Sequence, residues 1–252
     1  MTINVISDLH NIVVGNDAKK DINWMGFDTS KLKKADVLVV AGDLANRQSE
    51  YPIVKKALEG LTQFKKVICI PGNHDFWDGE YKRPKNQVVK MDDVVFLCTV
   101  LWTPLNFETG DFKEDFFGRL FVVGSMVDYR AIWEWDVDKN NEEYKYNHDW
   151  LEKNIAKYKK QGKKVVVVTH HSPSMKLISD SYDGDYLNRA FHVYDDSCEK
   201  LKPDVWIHGH SHEFMKKTIG GVRYIRNPIG YRYPGRPVEL PEDHWYNTVI
   251  KV

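Results

Sequence analysis

Short apolar runs that break at once into Asp, Asn or His recur along this chain, and that recurrence constrains the fold more than any other feature. Val67-Ile68-Cys69-Ile70 leads into Pro71-Gly72-Asn73-His74-Asp75. Ile3 to Ser7 leads into Asp8-Leu9-His10, Asp36 to Ala41 into Gly42-Asp43-Leu44, and Asp204 to Ile207 into His208-Gly209-His210-Ser211-His212. The valine run Val165 to Val168 ends in Thr169-His170-His171-Ser172-Pro173. Unbroken runs of this length suit strands covered on both faces. Polar residues delivered at the same end of each strand imply a parallel-type sheet whose site lies beyond its carboxyl edge.

The segments between these runs are less uniform. Tyr51 to Phe64 carries Ile53, Val54, Ala57, Leu58 and Leu61 at helical spacing and predicts a crossover helix. Residues 11 to 35 are polar, with Trp24 and Phe27 as the large anchors, and read as loop plus a short helix. Val94 to Cys98 and Leu120 to Val123 predict further strands, separated by the Phe- and acid-rich stretch Thr103 to Gly118. Residues 125 to 146 fit neither period and read as an elaboration near the site mouth, either a surface lid or a packed loop. Asn147 to Lys160 predicts an amphipathic helix with Trp150, Leu151, Ile155 and Tyr158 inward, and a helix is expected over Tyr194 to Leu201. Lys216 to Thr218, Val222 to Ile225 and Thr248 to Val252 predict antiparallel strands completing a second sheet, with a turn at Asn227-Pro228.

A chain of 252 residues can form one large α/β unit, so a single domain over residues 1–252 is expected. Its 36 basic and 36 acidic residues cancel, which supplies no basic field for nucleic acid or an anionic membrane and points to a small substrate. Cys69, Cys98 and Cys198 have no close spacing and read as buried thiols of a reducing compartment. The first strand begins without a leader and no apolar run is long enough to span a bilayer, so a cytoplasmic enzyme is the expectation. The oligomeric state stays open.

The strand ends carry the chemistry. A two-residue period sets Asp8 and His10 on one side of the chain, as a chelating pair or a polar loop. Adjacent side chains in a turn splay apart, so Asn73 can face a metal while His74 faces a substrate. Collected, Asp8, His10, Asp43, Asn73, His74, His170, His210 and His212 offer mostly nitrogen, two carboxylates and no thiolate. That set suits Mn, Fe, Zn, Co or Ni better than Ca or Mg, and argues against a closed structural zinc site. It exceeds the needs of one ion; two ions roughly 3.5–4 Å apart, sharing a carboxylate and a water, would use it. Arg47, Arg130, Arg189 and His148 read as surface residues, with phosphate contact as the alternative.

The motifs D-x-H, G-D, G-N-H-D, a His after a valine-rich strand and G-H-x-H, in this order from Asp8 to His212, resemble the calcineurin-like metallophosphoesterase superfamily. The resemblance implies a four-layer α/β/β/α sandwich of two mixed sheets with a dinuclear site at the strand ends. It implies one divalent transition-metal ion on Asp8, His10, Asp43 and His212 and a second on Asp43, Asn73, His170 and His210, with Asp43 as the bridge. It further implies a phosphomonoesterase or phosphodiesterase in which a bridging hydroxide attacks phosphorus and His74 is the general acid. Asp75 is then either the acceptor that fixes the His74 tautomer or a turn cap. His-His-Pro-Pro is common where this chain has His170-His171-Ser172-Pro173, so the resemblance makes His170 the ligand and His171 its neighbour, and leaves His208 in the core or behind the ligands. Asn227 to Tyr231 resembles a stretch near the C-terminus of many bacterial members and reads as structural. A catalytically weak binding protein of this fold and a nuclease are the competing readings; the first would show missing ligands, the second a basic groove.

Overall fold

In a computed structural model of the chain, residues 1–11, 27–105, 112–231 and 242–252 are described, without the side chains of 112–114 and 242–243. The expectations for residues 12–26, Trp24 among them, and for 106–111 lie outside the described residues. The first half runs β1 (Thr2–Ile6), β2 (Val37–Ala41), α1 (Tyr51–Glu59), β3 (Lys66–Ile70), β4 (Gly79–Glu80), β5 (Gln87–Met91), β6 (Val94–Cys98) and α2 (Phe112–Ser125). There follow α3 (Asp128–Ala131), β7 (Ile132–Trp133), α4 (Val137–Lys160), β8 (Lys164–Val168) and α5 (Asn188–Phe191). The chain continues with β9 (Val205–His208), β10 (Met215–Ile219), β11 (Val222–Arg226), α6 (Glu242–Asn247) and β12 (Val249–Lys251).

The apolar runs become β1, β2, β3, β8 and β9, the strands that carry the site. One sheet has the order β12-β1-β2-β3, with β1, β2 and β3 parallel and β12 antiparallel to β1. The other has the order β10-β11-β9-β8-β6-β5, parallel from β11 to β6 and antiparallel at both edges. These two sheets are mixed, and β4 and β7 pair in a small parallel sheet of their own.

The pleat sorts the apolar residues by parity. Ile3, Val5, Val37, Val39, Ile68 and Ile70 of the first sheet share one buried cluster with Phe96, Cys98, Val166, Val168, Val205 and Ile207 of the second, so the sheets face each other. The opposite parity of the first sheet, Leu38, Val40 and Cys69, packs with Val54 and Leu58 of α1 and Trp245 of α6. Val95, Leu97, Val165, Val167 and Trp206 pack with Leu151, Ile155 and Tyr158 of α4. Each such side chain contributes on the order of 1.5–3 kcal/mol when removed from water. Runs apolar on both parities are thus strands with a sheet on one side and a helix on the other.

Several expectations need correction. Leu120 to Val123 lies in helix α2, where Phe116, Phe117, Leu120 and Phe121 are exposed and Val122 is buried. Its outward apolar residues imitate a strand because they do not mark the buried face. Tyr194 to Leu201 holds one 3₁₀ turn, Glu199–Leu201, since the Asp195 side chain accepts from Ser197 N–H and Lys202 turns left-handed. Such side-chain bonds compete with a helix. Helix α4 begins ten residues before Asn147, capped by the Asp136 carboxylate on Lys139 N–H. The 125–146 segment is packed rather than a free lid, with Ile132 and Trp135 buried against Phe76 and Trp102. The last predicted strand joins the first sheet, through β12 and β1, and not the second. The three cysteines are buried and free.

Candidate metal centre

The carboxyl ends of β1, β2 and β3 in one sheet meet those of β8 and β9 in the other, and their loops hold the predicted residues. The turns are tight enough to require unusual backbone. Asp8, His10, Asp43 and His210 all have positive φ, between 44° and 68°, a region that Asp and His tolerate better than most residues. A side chain on Gly72 would come within 2.6 Å of His170 Nε2, and one on Gly209 within 2.8 Å of Asp8 Oδ2. These glycines are therefore gaps into which the Asp8, Asp43 and His170 side chains fit. Asp75 ties the turns together by accepting from the backbone N–H groups of Leu44, Ala45 and Gly72 at 3.1, 2.8 and 2.9 Å. It is a turn cap, and does not bond the His74 ring.

The structure brings Asp8, His10, Asp43, Asn73, His74, His170, His210 and His212 together. Asp8, His10 and His212 form one group of potential cation ligands and Asp43, His170 and His210 another, the ligand atoms of each within 4.8 Å of one another. Asp43 Oδ2 stands between them, 3.3 Å from His170 Nε2 and 3.7 Å from His10 Nε2. His10 Nε2 and His212 Nε2 face each other at 3.0 Å. His210 Nε2 is buried without a hydrogen-bond partner. Nitrogens converging with carboxylates, one of them orphaned, fit two divalent transition-metal ions.

The electrostatics follow from burial with neighbouring charge. Burial lowers the proton affinity of His10 and His74, each to about 3, against the pull of nearby carboxylates, so both rings are neutral. Burial also opposes a charge on His170, but Asp43 outweighs it and pushes the value up to about 9. Burial likewise disfavours the Asp8 carboxylate, yet His212, His170 and His10 together hold it below the usual range.

Residues outside the predicted set fix the tautomers. Asn46 Nδ2 donates to the His10 carbonyl at 3.2 Å, so its Oδ1 faces the rings and accepts from His10 Nδ1 at 2.9 Å and His74 Nδ1 at 3.0 Å. Each ring therefore presents Nε2 inward. His170 Nδ1 donates to the Ala41 carbonyl at 2.9 Å, with the same result. Asp128 accepts from Asn73 Nδ2 at 2.8 Å and Trp77 Nε1 at 2.7 Å, which turns Asn73 Oδ1 toward His170 Nε2. Ligand orientation set by such outer partners is common in metal sites. Trp77 stacks on His74 at 3.5 Å between ring centroids, and the Tyr231 hydroxyl lies 3.1 Å from His74 Nε2. Tyr231 thus belongs to the site, where its sequence context suggested a structural role. Of these residues only Asp75 and Tyr231 drew notice in the sequence.

The remaining candidates lie elsewhere. His171 packs against Trp102 and His210, at 4.9 and 4.3 Å between centroids. His208 is buried in β9 with both ring nitrogens unpartnered. Arg47 pairs with Asp78 at the surface, Arg130 donates to the Gly124 carbonyl, Arg189 lies over Tyr194, and His148 sits near Asp149. Replacing His170 and His171 by Ala separately distinguishes the neighbours: His170→Ala should lose one bound ion per chain while His171→Ala keeps both, measured by elemental analysis. The reverse pattern would shift the assignment by one residue.

The sequence profile of calcineurin-like phosphoesterases matches residues 1–214. The fold is similar to phosphopantetheinyl hydrolase from Mycobacterium tuberculosis, at 17% identity and TM-score 0.60, covering 92% of this chain and 90% of that one. It is also similar to a dimetal phosphatase from Danio rerio, at 12% identity and TM-score 0.51, covering 89% and 86%. A search of curated proteins finds no match. At these identities the likeness establishes the fold alone. Among the described residues no helix is long and apolar enough to cross a membrane.

Proposed function

This chain belongs to the calcineurin-like phosphoesterase family, and from that premise we propose that it hydrolyses phosphomonoesters or phosphodiesters at a dinuclear metal centre. The observation that carries the reading is the pair of ligand groups on either side of Asp43. Asp8, His10 and His212 would hold one ion, Asn73, His170 and His210 the other, and Asp43 both. Two divalent ions would supply Lewis acidity toward the phosphoryl oxygens and a nucleophile from water at neutral pH.

The chain's own residues account for the rest. His74 lines the cavity beside the ligands, with Nδ1–H held by Asn46 and Nε2 toward the Tyr231 hydroxyl. Burial keeps its ring neutral in the free protein, and the negative charge of a bound phosphoryl group would raise its affinity for a proton. Protonated at Nε2, it would donate to the departing oxygen. Trp77 and Asn46 limit the ring's rotation.

Every ligand position being filled favours an enzyme over a binding protein of this fold. The equal counts of acidic and basic residues favour a small ester over nucleic acid. Metal analysis of the purified protein, followed by chromogenic mono- and diesters with Mn added, tests the reading. About two ions per chain with Mn-dependent hydrolysis are expected; a protein that binds the ions yet hydrolyses none of the panel would be the binding protein instead.

A further inference from the structure

The cavity at the candidate centre has a volume of about 520 Å³, within the range of pockets that enclose a drug-sized molecule. A phosphoryl group occupies a small part of it. Asp43, Asn73, His74, His210 and His212 contribute to its lining, and the remaining lining includes Met126, Val127, Ile178, Leu187 and Phe191 with the rings of Trp77, Tyr182 and Tyr231. Among the described residues no Lys or Arg lines it. Outside the two candidate ligand groups, the acidic residues among the described lining are Asp128, Asp185 and Glu213. Asp128 is committed to Asn73 and Trp77, and Glu213 faces the buried Arg226 at 3.6 Å.

Resting on the phosphoesterase reading, we propose that the substrate's leaving group is large, apolar and free of negative charge, and that it seats against Val127, Leu187 and Phe191. A nucleotide or phosphosugar acid would bring a second anion against a wall whose described residues, beyond the two candidate ligand groups, offer it carboxylates and no Lys or Arg. Removing such an anion from water without a partner is costly. An aryl or alkyl group instead gains from covering Val127, Leu187 and Phe191, and Val127 is 42% exposed with room to be covered.

The test compares 4-butylphenyl phosphate with 4-(2-carboxyethyl)phenyl phosphate, each also as its methyl diester, on the Mn-loaded protein. The two phenols are of similar size and acidity, so the comparison changes only the far end of the leaving group, from an apolar ethyl to a carboxylate. The butyl ester should have a kcat/KM about tenfold or more above the carboxyethyl ester, because an unpartnered buried charge costs upwards of ~1.4 kcal/mol. Val127→Lys should reverse or erase the difference. Independently of hydrolysis, 4-butylphenol should bind the metal-free protein in calorimetry and bind Val127→Lys more weakly. Equal turnover of both esters by the wild type, or butylphenol binding indifferent to Val127→Lys, overturns the proposal while leaving the phosphoesterase reading intact. No hydrolysis of any ester removes that reading and the substrate assignment with it, whatever the alcohol does.

Discussion

Asp43→Asn is expected to lose metal and hydrolysis together. The carboxylate lies against both candidate ligand clusters, with Oδ2 near His170 and His10 and Oδ1 accepting from His74 N–H at 3.0 Å. An amide of the same shape keeps the packing but offers one neutral oxygen in place of a charge, and its NH₂ has no acceptor among ring nitrogens that are needed inward. Affinity should fall by more than the roughly 10–100-fold that follows loss of a residue supporting a ligand. Elemental analysis after gel filtration and turnover with Mn added read the two losses. A variant that keeps two ions and near-normal turnover would sink the dinuclear assignment, and an unchanged circular dichroism spectrum guards against misfolding.

His74→Ala should do the opposite with metal. Content is expected to stay at the wild-type level while turnover falls by about 10²–10⁴-fold, the range for a lost general acid. The loss should be smaller for esters whose leaving group departs without a proton. The geometry leaves a definite rival, because His10, Asp43 and His74 also form a potential cation group, with His74 Nε2 4.0 Å from Asp43 Oδ2. Loss of an ion from His74→Ala would make the ring a ligand. Equal losses across activated and unactivated esters would remove the acid role even with metal intact.

The site was legible where its chemistry dictates residue type. A carboxylate or imidazole directly after a buried strand stands out, so Asp8, Asp43 and His210 are candidates by position, whereas choosing His170 over His171 takes the family resemblance, because Val165 to Val168 is apolar on both faces and gives no parity. Asn46, Asp128 and Tyr231 do not stand out, because each acts on a residue 28 to 157 positions away and is an ordinary polar residue in its own stretch. The fold divides likewise. Strands apolar on both parities announced themselves, whereas α2 did not, since its Phe residues face outward and its period reports no core. Helix α4 was found only in its second half; its first half buries Asn140 and Glu143, polar residues that break the apolar pattern. Asn140 Nδ2 donates to the Thr103 carbonyl and Glu143 pairs with Arg83, bonds that no local window contains.

The left-handed backbone at Asp8, His10, Asp43 and His210 narrows what these positions can become over generations. Valine, isoleucine or threonine would be rejected there by backbone geometry even in a protein that had no further use for metal. Asparagine and glycine are the replacements such a turn accepts most readily. A lineage abandoning the chemistry would therefore drift first toward Asn and Gly at these turns, leaving the loops in shape and the catalytic past readable in their backbone.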